Sequence, residues 1–168
     1  MPTTTTPAQH QKRWQEIVGD PLLSDLPYKV ETNHRGQIVL SPHQFSHSQL
    51  QRTIQKKLDA VLTGGEVFPE CPITTRKGVR RADVTWASES KIREMERAGD
   101  PPTTAPEICI EVMSESNDWD EMEEKRKLYR EAGAEETWVV DEGEIRFFGQ
   151  EEMEQSAVAP KFPSRVAS

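Results

Sequence analysis

Two stretches of the chain alternate apolar and polar residues with a period of two. In Val79-Arg-Arg-Ala-Asp-Val-Thr-Trp86, Ala82, Val84 and Trp86 share one side, while Arg81, Asp83 and Thr85 share the other. In residues 107–112, Ile108, Ile110 and Val112 share one side, and Cys109 and Glu111 the other. A period of two predicts strands, because successive side chains point to opposite faces of a sheet. Each strand then has an apolar face and a face bearing a single acid. If the two are neighbours, their apolar faces join one core layer, and Asp83 and Glu111 project together on the opposite side.

A period near 3.6 marks the helices. Leu50, Ile54, Leu58 and Val61 fall at i, i+4, i+8 and i+11, which predicts a helix over 43–62. Pro42 opens it and Gly64-Gly65 ends it. Lys125, Leu128, Tyr129 and Ala132, with Met122 one turn earlier, predict a second helix. Turn and cap residues at 114–118 start it, and Gly133 is placed to cap its end. A short helix is expected over 9–18, and a charge-rich, peripheral one over 88–98. Further strands are expected at 28–32, 36–41, 136–141 and 145–148, with a short extended piece at 66–74. This order predicts an α/β or α+β domain, a mixed sheet with helices packed on it. The expected organisation is a polar tail and short helix over 1–19, the patterned domain over 20–149, and an unpatterned tail over 150–168.

Composition narrows the chemistry. A chain of 168 residues fits one domain with a real core. Only 34% of residues are apolar and 30% are charged, and the polar ends account for much of this. No run approaches the roughly 18 apolar residues of a membrane span, and the N-terminus lacks a signal-peptide core. Cys71 and Cys109 are the only cysteines and lack CxxC spacing. They suggest neither a disulfide framework nor a zinc site, so a cytoplasmic location is expected. There is no GxxxxGK[ST], GxGxxG or GxSxG motif, and His10, His34, His43 and His47 lack HExxH spacing. The net charge of −8 counts against avid non-specific DNA binding. It leaves room for a local basic patch. Arg76, Lys77, Arg80 and Arg81 form either such a patch or a solvated hairpin edge.

Asp83 and Glu111 remain the main chemical signal. Two carboxylates held close repel each other unless a cation lies between them, and hard oxygen donors suit Mg²⁺ or Mn²⁺. The other reading has both acids facing solvent, paired with Arg80 or Arg81, and spacing alone leaves both open. Helical phase selects a lysine. Lys125 lies on the apolar stripe, where an ammonium must snorkel to water or find an anion. Lys127 has Glu123, Glu124, Arg130 and Glu131 as neighbours and belongs to the wet face. His47 shares the face of Leu50 and Ile54 and reads as a hydrogen-bonded histidine at a helix start.

Together these residues resemble a known family. Ala82-Asp-Val84, Ile110-Glu-Val-Met-Ser114, Lys125-x-x-x-Tyr129 and Gly133-Ala-Glu-Glu-Thr-Trp-Val-Val-Asp141 are similar to the Uma-type family of the PD-(D/E)XK restriction-endonuclease-like superfamily. Tyr28-Lys-Val-Glu31, Gly36-Gln-Ile-Val-Leu-Ser-Pro42 and His47 extend the likeness to residues 27–149. Ala82 and Thr137 depart from the family's usual proline and tyrosine. The resemblance implies a restriction-endonuclease-like mixed sheet flanked by helices. It implies a centre of Asp83, Glu111 and Lys125, with Glu31 matching a further acid. Its usual lysine position is Met113 here, so Lys125 would supply the ammonium from the next helix. The implied activity is metal-dependent hydrolysis of DNA. Asp83, Glu111 and the Val112 carbonyl would hold Mg²⁺ or Mn²⁺, and Arg76, Lys77, Arg80 and Arg81 would grip the backbone. A homodimer would suit cutting of both strands. The alternatives are a non-catalytic nucleic-acid- or protein-binding module on the same fold, or a hydrolase acting on RNA or a nucleotide.

Overall fold

In the computed structural model, which describes residues 6–167, the chain begins with α1 (Pro7–Val18), β1 (Tyr28–Thr32), β2 (Ile38–Pro42) and α2 (Phe45–Val61). It continues through β3 (Gly65–Thr75), β4 (Gly78–Ser88), α3 (Glu89–Arg97), β5 (Ile108–Val112) and α4 (Trp119–Glu131). It closes with β6 (Glu136–Asp141), β7 (Glu144–Phe148) and the two-residue β8 (Glu152–Met153). Residues 1–5 of the expected polar tail lie outside the described residues.

Strands β3 to β8 form one six-stranded sheet in sequence order. Only β5 and β6 pair in parallel, joined by α4 as the crossover helix. The other neighbours are antiparallel, so the fold is a mixed α+β sheet flanked by helices. Strands β4 and β5 are neighbours, with Val84 opposite Ile110 and Trp86 opposite Ile108. Their apolar faces meet Leu50, Ile54 and Leu58 of α2, together with Trp138, Val140 and Phe147. On the other face Tyr129 of α4 packs with Cys109 and Ala134, and Met122 packs with Val139 and Phe148. Helix α3 is anchored through Met95, with Ser88 capping its start.

Two regions differ from the sequence reading. The short piece expected at 66–74 is half of a long hairpin, with β3 and β4 at 11 residues each. Strand β3 is an edge strand, so burial along it is irregular and its alternation is blurred. The segment after Gly149, expected as a tail, packs onto the sheet, with Ala159, Phe162 and Val166 in the main core. Its anchor is Glu136, whose carboxylate accepts from Ser156 Oγ at 2.6 Å and from the N–H groups of Ala157 and Val158 at 2.9 and 2.8 Å.

The hairpin β1–β2 is a separate two-stranded sheet that docks against β4. Gly78 makes this approach feasible. Its φ is +100°, and a Cβ there would lie 2.4 Å from the carbonyl oxygens of Thr32 and Asn33. Beside it, the Val79 N–H donates to Thr32 Oγ1 at 2.8 Å. This docking carries Lys29 and Glu31, which share one face of β1 by alternation, over the acid-bearing face of β4 and β5.

Candidate active site

The β4–β5 ladder ends at Val84–Ile110, just before Asp83 and Glu111 would pair. There the Val112 N–H turns to the Asp83 side chain, donating to Oδ2 at 2.8 Å. Asp83 and Glu111 are brought to one buried cluster, 2% and 5% exposed. Neither faces solvent and neither pairs with Arg80 or Arg81, so the surface-acid reading fails on burial.

Two ammonium groups lie among the acids. Lys29 Nζ is 3.0 Å from Asp83 Oδ1, 3.5 Å from Glu111 Oε2 and 4.0 Å from Glu31 Oε2. Lys125 Nζ is 3.2 Å from Glu31 Oε1 and 3.6 Å from Glu111 Oε2. Glu31 is pinned on its other oxygen by the Arg81 backbone N–H at 2.7 Å. Tyr129 Oη donates to Glu111 Oε1 at 2.5 Å. His47 Nε2 lies 3.2 Å from Asp83 Oδ2 and 3.1 Å from the Val112 carbonyl oxygen. Both of these partners accept, so this network assigns the proton to Nε2.

The buried charges tune one another. Burial disfavours an ionised Asp83, but Lys29, His47 and the Val112 N–H outweigh it and hold its pKa well below the carboxylate range. Burial likewise opposes ionisation of Glu31, and Lys29 and Lys125 overcome it, lowering its pKa. Glu111 goes the other way. Burial, helped by Asp83 and Glu31, pushes it up to about 7 against the pull of Lys125 and Lys29. Burial would lower Lys29, yet Asp83, Glu111 and Glu31 keep its pKa above the ordinary lysine value. His47 is raised despite burial, through its hydrogen bond and charge interaction with Asp83. Three carboxylates against two ammonium groups and an imidazole make a near-balanced, water-poor cluster, the environment in which titrating groups take on chemical roles.

The oxygen donors suit a hard divalent cation. The position between Asp83 Oδ1 and Glu111 Oε2 already holds a positive group, the Lys29 ammonium, and the Val112 carbonyl approaches the same Asp83 through His47. Among the described residues, no three His, Cys, Asp or Glu side chains group as a metal cage. A cation between the carboxylates would displace the Lys29 head group.

The expected basic patch is differently arranged. Arg76 pairs with Glu131 at 3.0 Å, Lys77 and Arg80 with Glu124 at 3.7 and 3.5 Å, and Arg81 with Glu70 at 3.3 Å. Arg76, Lys77 and Arg80 thus line α4, whereas the Arg81 side chain turns to β3. Lys29 was missed in the sequence, although its alternation with Glu31 placed it on the same strand face. Tyr129 also carried a signal, one turn beyond Lys125 on the same stripe.

Comparison with known proteins bears on this arrangement. Residues 20–165 match the Uma2 family, described as "Putative restriction endonuclease". The fold is similar to the crystal structure of a "putative nuclease belonging to DUF820" from Anabaena variabilis. The TM-score is 0.66 at 18% identity, over 79% of this chain and 84% of that one, a likeness of fold. No curated protein matches the chain.

Proposed function

The chain belongs to the Uma2 family of restriction-endonuclease-like proteins, and on that premise we propose that it is a metal-dependent endonuclease hydrolysing DNA phosphodiester bonds. The observation that carries this reading is the convergence of Asp83 and Glu111 from neighbouring strands onto one buried point, with Lys125 beside it. Asp83, Glu111 and the Val112 carbonyl would hold Mg²⁺ or Mn²⁺. When bound, such an ion polarises a phosphoryl oxygen and lowers the pKa of its water.

The protein's own groups do the rest. Lys125, held by Glu31, offers a fixed positive charge to the negative charge that builds on the phosphoryl oxygens. Removing one such preorganised donor costs about 10²–10³-fold in rate. Tyr129 fixes the rotamer of Glu111, and His47 fixes Asp83 against the Val112 carbonyl. The test is nicking of supercoiled plasmid with Mg²⁺ or Mn²⁺. Asp83→Ala, Glu111→Ala and Lys125→Ala should each abolish nicking in folded protein. Cleavage by these variants at the wild-type rate would remove the site from the reaction.

One observation favours a second reading, a non-catalytic nucleic-acid-binding module. Lys29 already neutralises the pair that would hold the metal. Metal titration separates the two readings. A catalytic site is stabilised by Mn²⁺ according to RT ln(1 + [L]/Kd), and a flat melting temperature at saturating Mn²⁺ favours the module.

A further inference from the structure

The hollows at and near the buried cluster differ sharply in charge. The central one, about 30 Å³, is lined by Lys29, Asp83, Glu111, Lys125 and His47. Through Lys125 it adjoins a hollow whose other charged residues are Glu31, Arg80, Glu121 and Glu124. Through Glu124 that hollow adjoins a cleft of about 480 Å³ between the β3–β4 turn and α4. Five basic residues line this cleft: Arg76 and Lys77 from the turn, and Arg126, Lys127 and Arg130 from α4. Only two acids, Glu123 and Glu124, oppose them. This is a local positive excess on a chain whose net charge is −8.

The other side of the cluster is the reverse. Through His47 and Ser114 it adjoins a hollow of about 430 Å³, whose charged residues besides His47 are Glu115, Asp141 and Glu142. Beyond that mixed-charge hollow a polyanion meets attraction at the cleft, whereas on the other side of the cluster it meets repulsion.

We propose that the cleft between the β3–β4 turn and α4 is a one-sided channel for a nucleic-acid strand. It takes the phosphates on one side of the cut, and the acidic hollow takes none. This rests on the nuclease reading for the position of the cut, but the channel itself is a binding surface. The ion pairs in the cleft do not close it. Arg76–Glu131 and Lys77–Glu124 lie at the surface, with 40–54% of each side chain exposed, while Arg126 is held by Glu123 at 2.6 Å above the Phe148 ring. Exposed pairs of this kind contribute little and exchange readily for phosphate. Lys127 and Arg130 are exposed and form no salt bridge to a described residue, so they are the cations most ready to meet a strand.

The test measures equilibrium binding of a short fluorescein-labelled single-stranded DNA by anisotropy, from roughly 50 to 200 mM salt. The double variant Lys127→Glu/Arg130→Glu should weaken binding at least tenfold. It should also flatten the slope of log affinity against log salt by about 1.4, the value for two phosphates on a single strand. Lys127→Gln/Arg130→Gln should shift both in the same direction by less, which guards against a folding artefact of charge reversal. Glu115→Gln/Glu142→Gln should leave affinity unchanged or tighten it. Unchanged affinity and slope in the charge-reversal variant overturn the channel, as does a wild-type protein that binds no DNA. Several-fold weakening in the Glu115→Gln/Glu142→Gln variant, the mark of a strand held at that hollow, overturns its one-sidedness. If the wild type binds through the cleft yet never cleaves with Mg²⁺ or Mn²⁺, the nuclease reading falls and the channel stands. If it cleaves while the charge-reversal variant binds and cleaves normally, the reverse holds.

Discussion

Glu136 and Glu111 are both glutamates buried on adjacent parallel strands, 3% and 5% exposed, on opposite faces of the sheet. Their surroundings separate them. Glu136 accepts from neutral donors alone: the Trp138 indole, the Ser156 hydroxyl and two backbone N–H groups. Glu111 lies among two lysines, a tyrosine and two other carboxylates. A carboxylate surrounded by fixed dipoles is a staple, because nothing near it can be exchanged or titrated. A carboxylate crowded by ammonium groups and like charges has neighbours that can titrate or be exchanged.

The contrast breaks most visibly at Glu136. Glu136→Ala leaves several buried donors unpaired at about 1–3 kcal/mol each, so a loss of at least about 3 kcal/mol is expected in denaturant unfolding. The C-terminal segment should become protease-sensitive first. Wild-type stability in this variant would mean that the staple is ornamental. At Glu111 the expected effect is smaller and depends on pH. Its folded pKa of about 7 lies above the ordinary glutamate value of 4.5. The native state therefore holds extra protons between those values, and stability falls as pH rises through that window. His47, also raised in the fold, contributes stability at low pH that is lost as pH rises through its folded pKa. The metal-free protein should lose on the order of 1–3 kcal/mol between pH 5 and 8, and Glu111→Gln should flatten most of that slope. A wild-type profile that rises over this range would contradict the assigned shift. Smallest is the effect of removing the competing ammonium. Lys29→Met should tighten Mn²⁺ binding several-fold, about 1 kcal/mol, measured by calorimetry. An unchanged Kd would show that Lys29 and the metal do not share a position.

Legibility followed the range of the interactions. Asp83 and Glu111 were readable because a period-two pattern fixes which side chains share a face, and Lys125 because helical phase separates it from Lys127. The mixed sheet followed from the order of elements. Lys29 shares its strand face with Glu31, but that matters only once the hairpin β1–β2 docks on β4. This contact turns on Gly78, far away in sequence. His47 was readable as a hydrogen-bonded helix-start histidine, but its partners Asp83 and Val112 come from two other elements. The packing of residues 150–167 was opaque for a similar reason. Its anchor is a carboxylate on β6, and the segment has little regular structure beyond the short β8.

The hairpin β1–β2 has a kinetic meaning. A two-stranded sheet is only marginally stable by itself, and this one carries Lys29 and Glu31 while β4 and β5 carry Asp83 and Glu111. The cluster is thus split between the six-stranded sheet and a separate two-stranded ribbon docked on it. Local opening of such a ribbon costs less than global unfolding. Amide protons within residues 28–42 should exchange with solvent well before those of 108–112. For a cation that binds as proposed, the lifetime of that closed ribbon would set how fast it enters and leaves the carboxylates, independently of how tightly it binds.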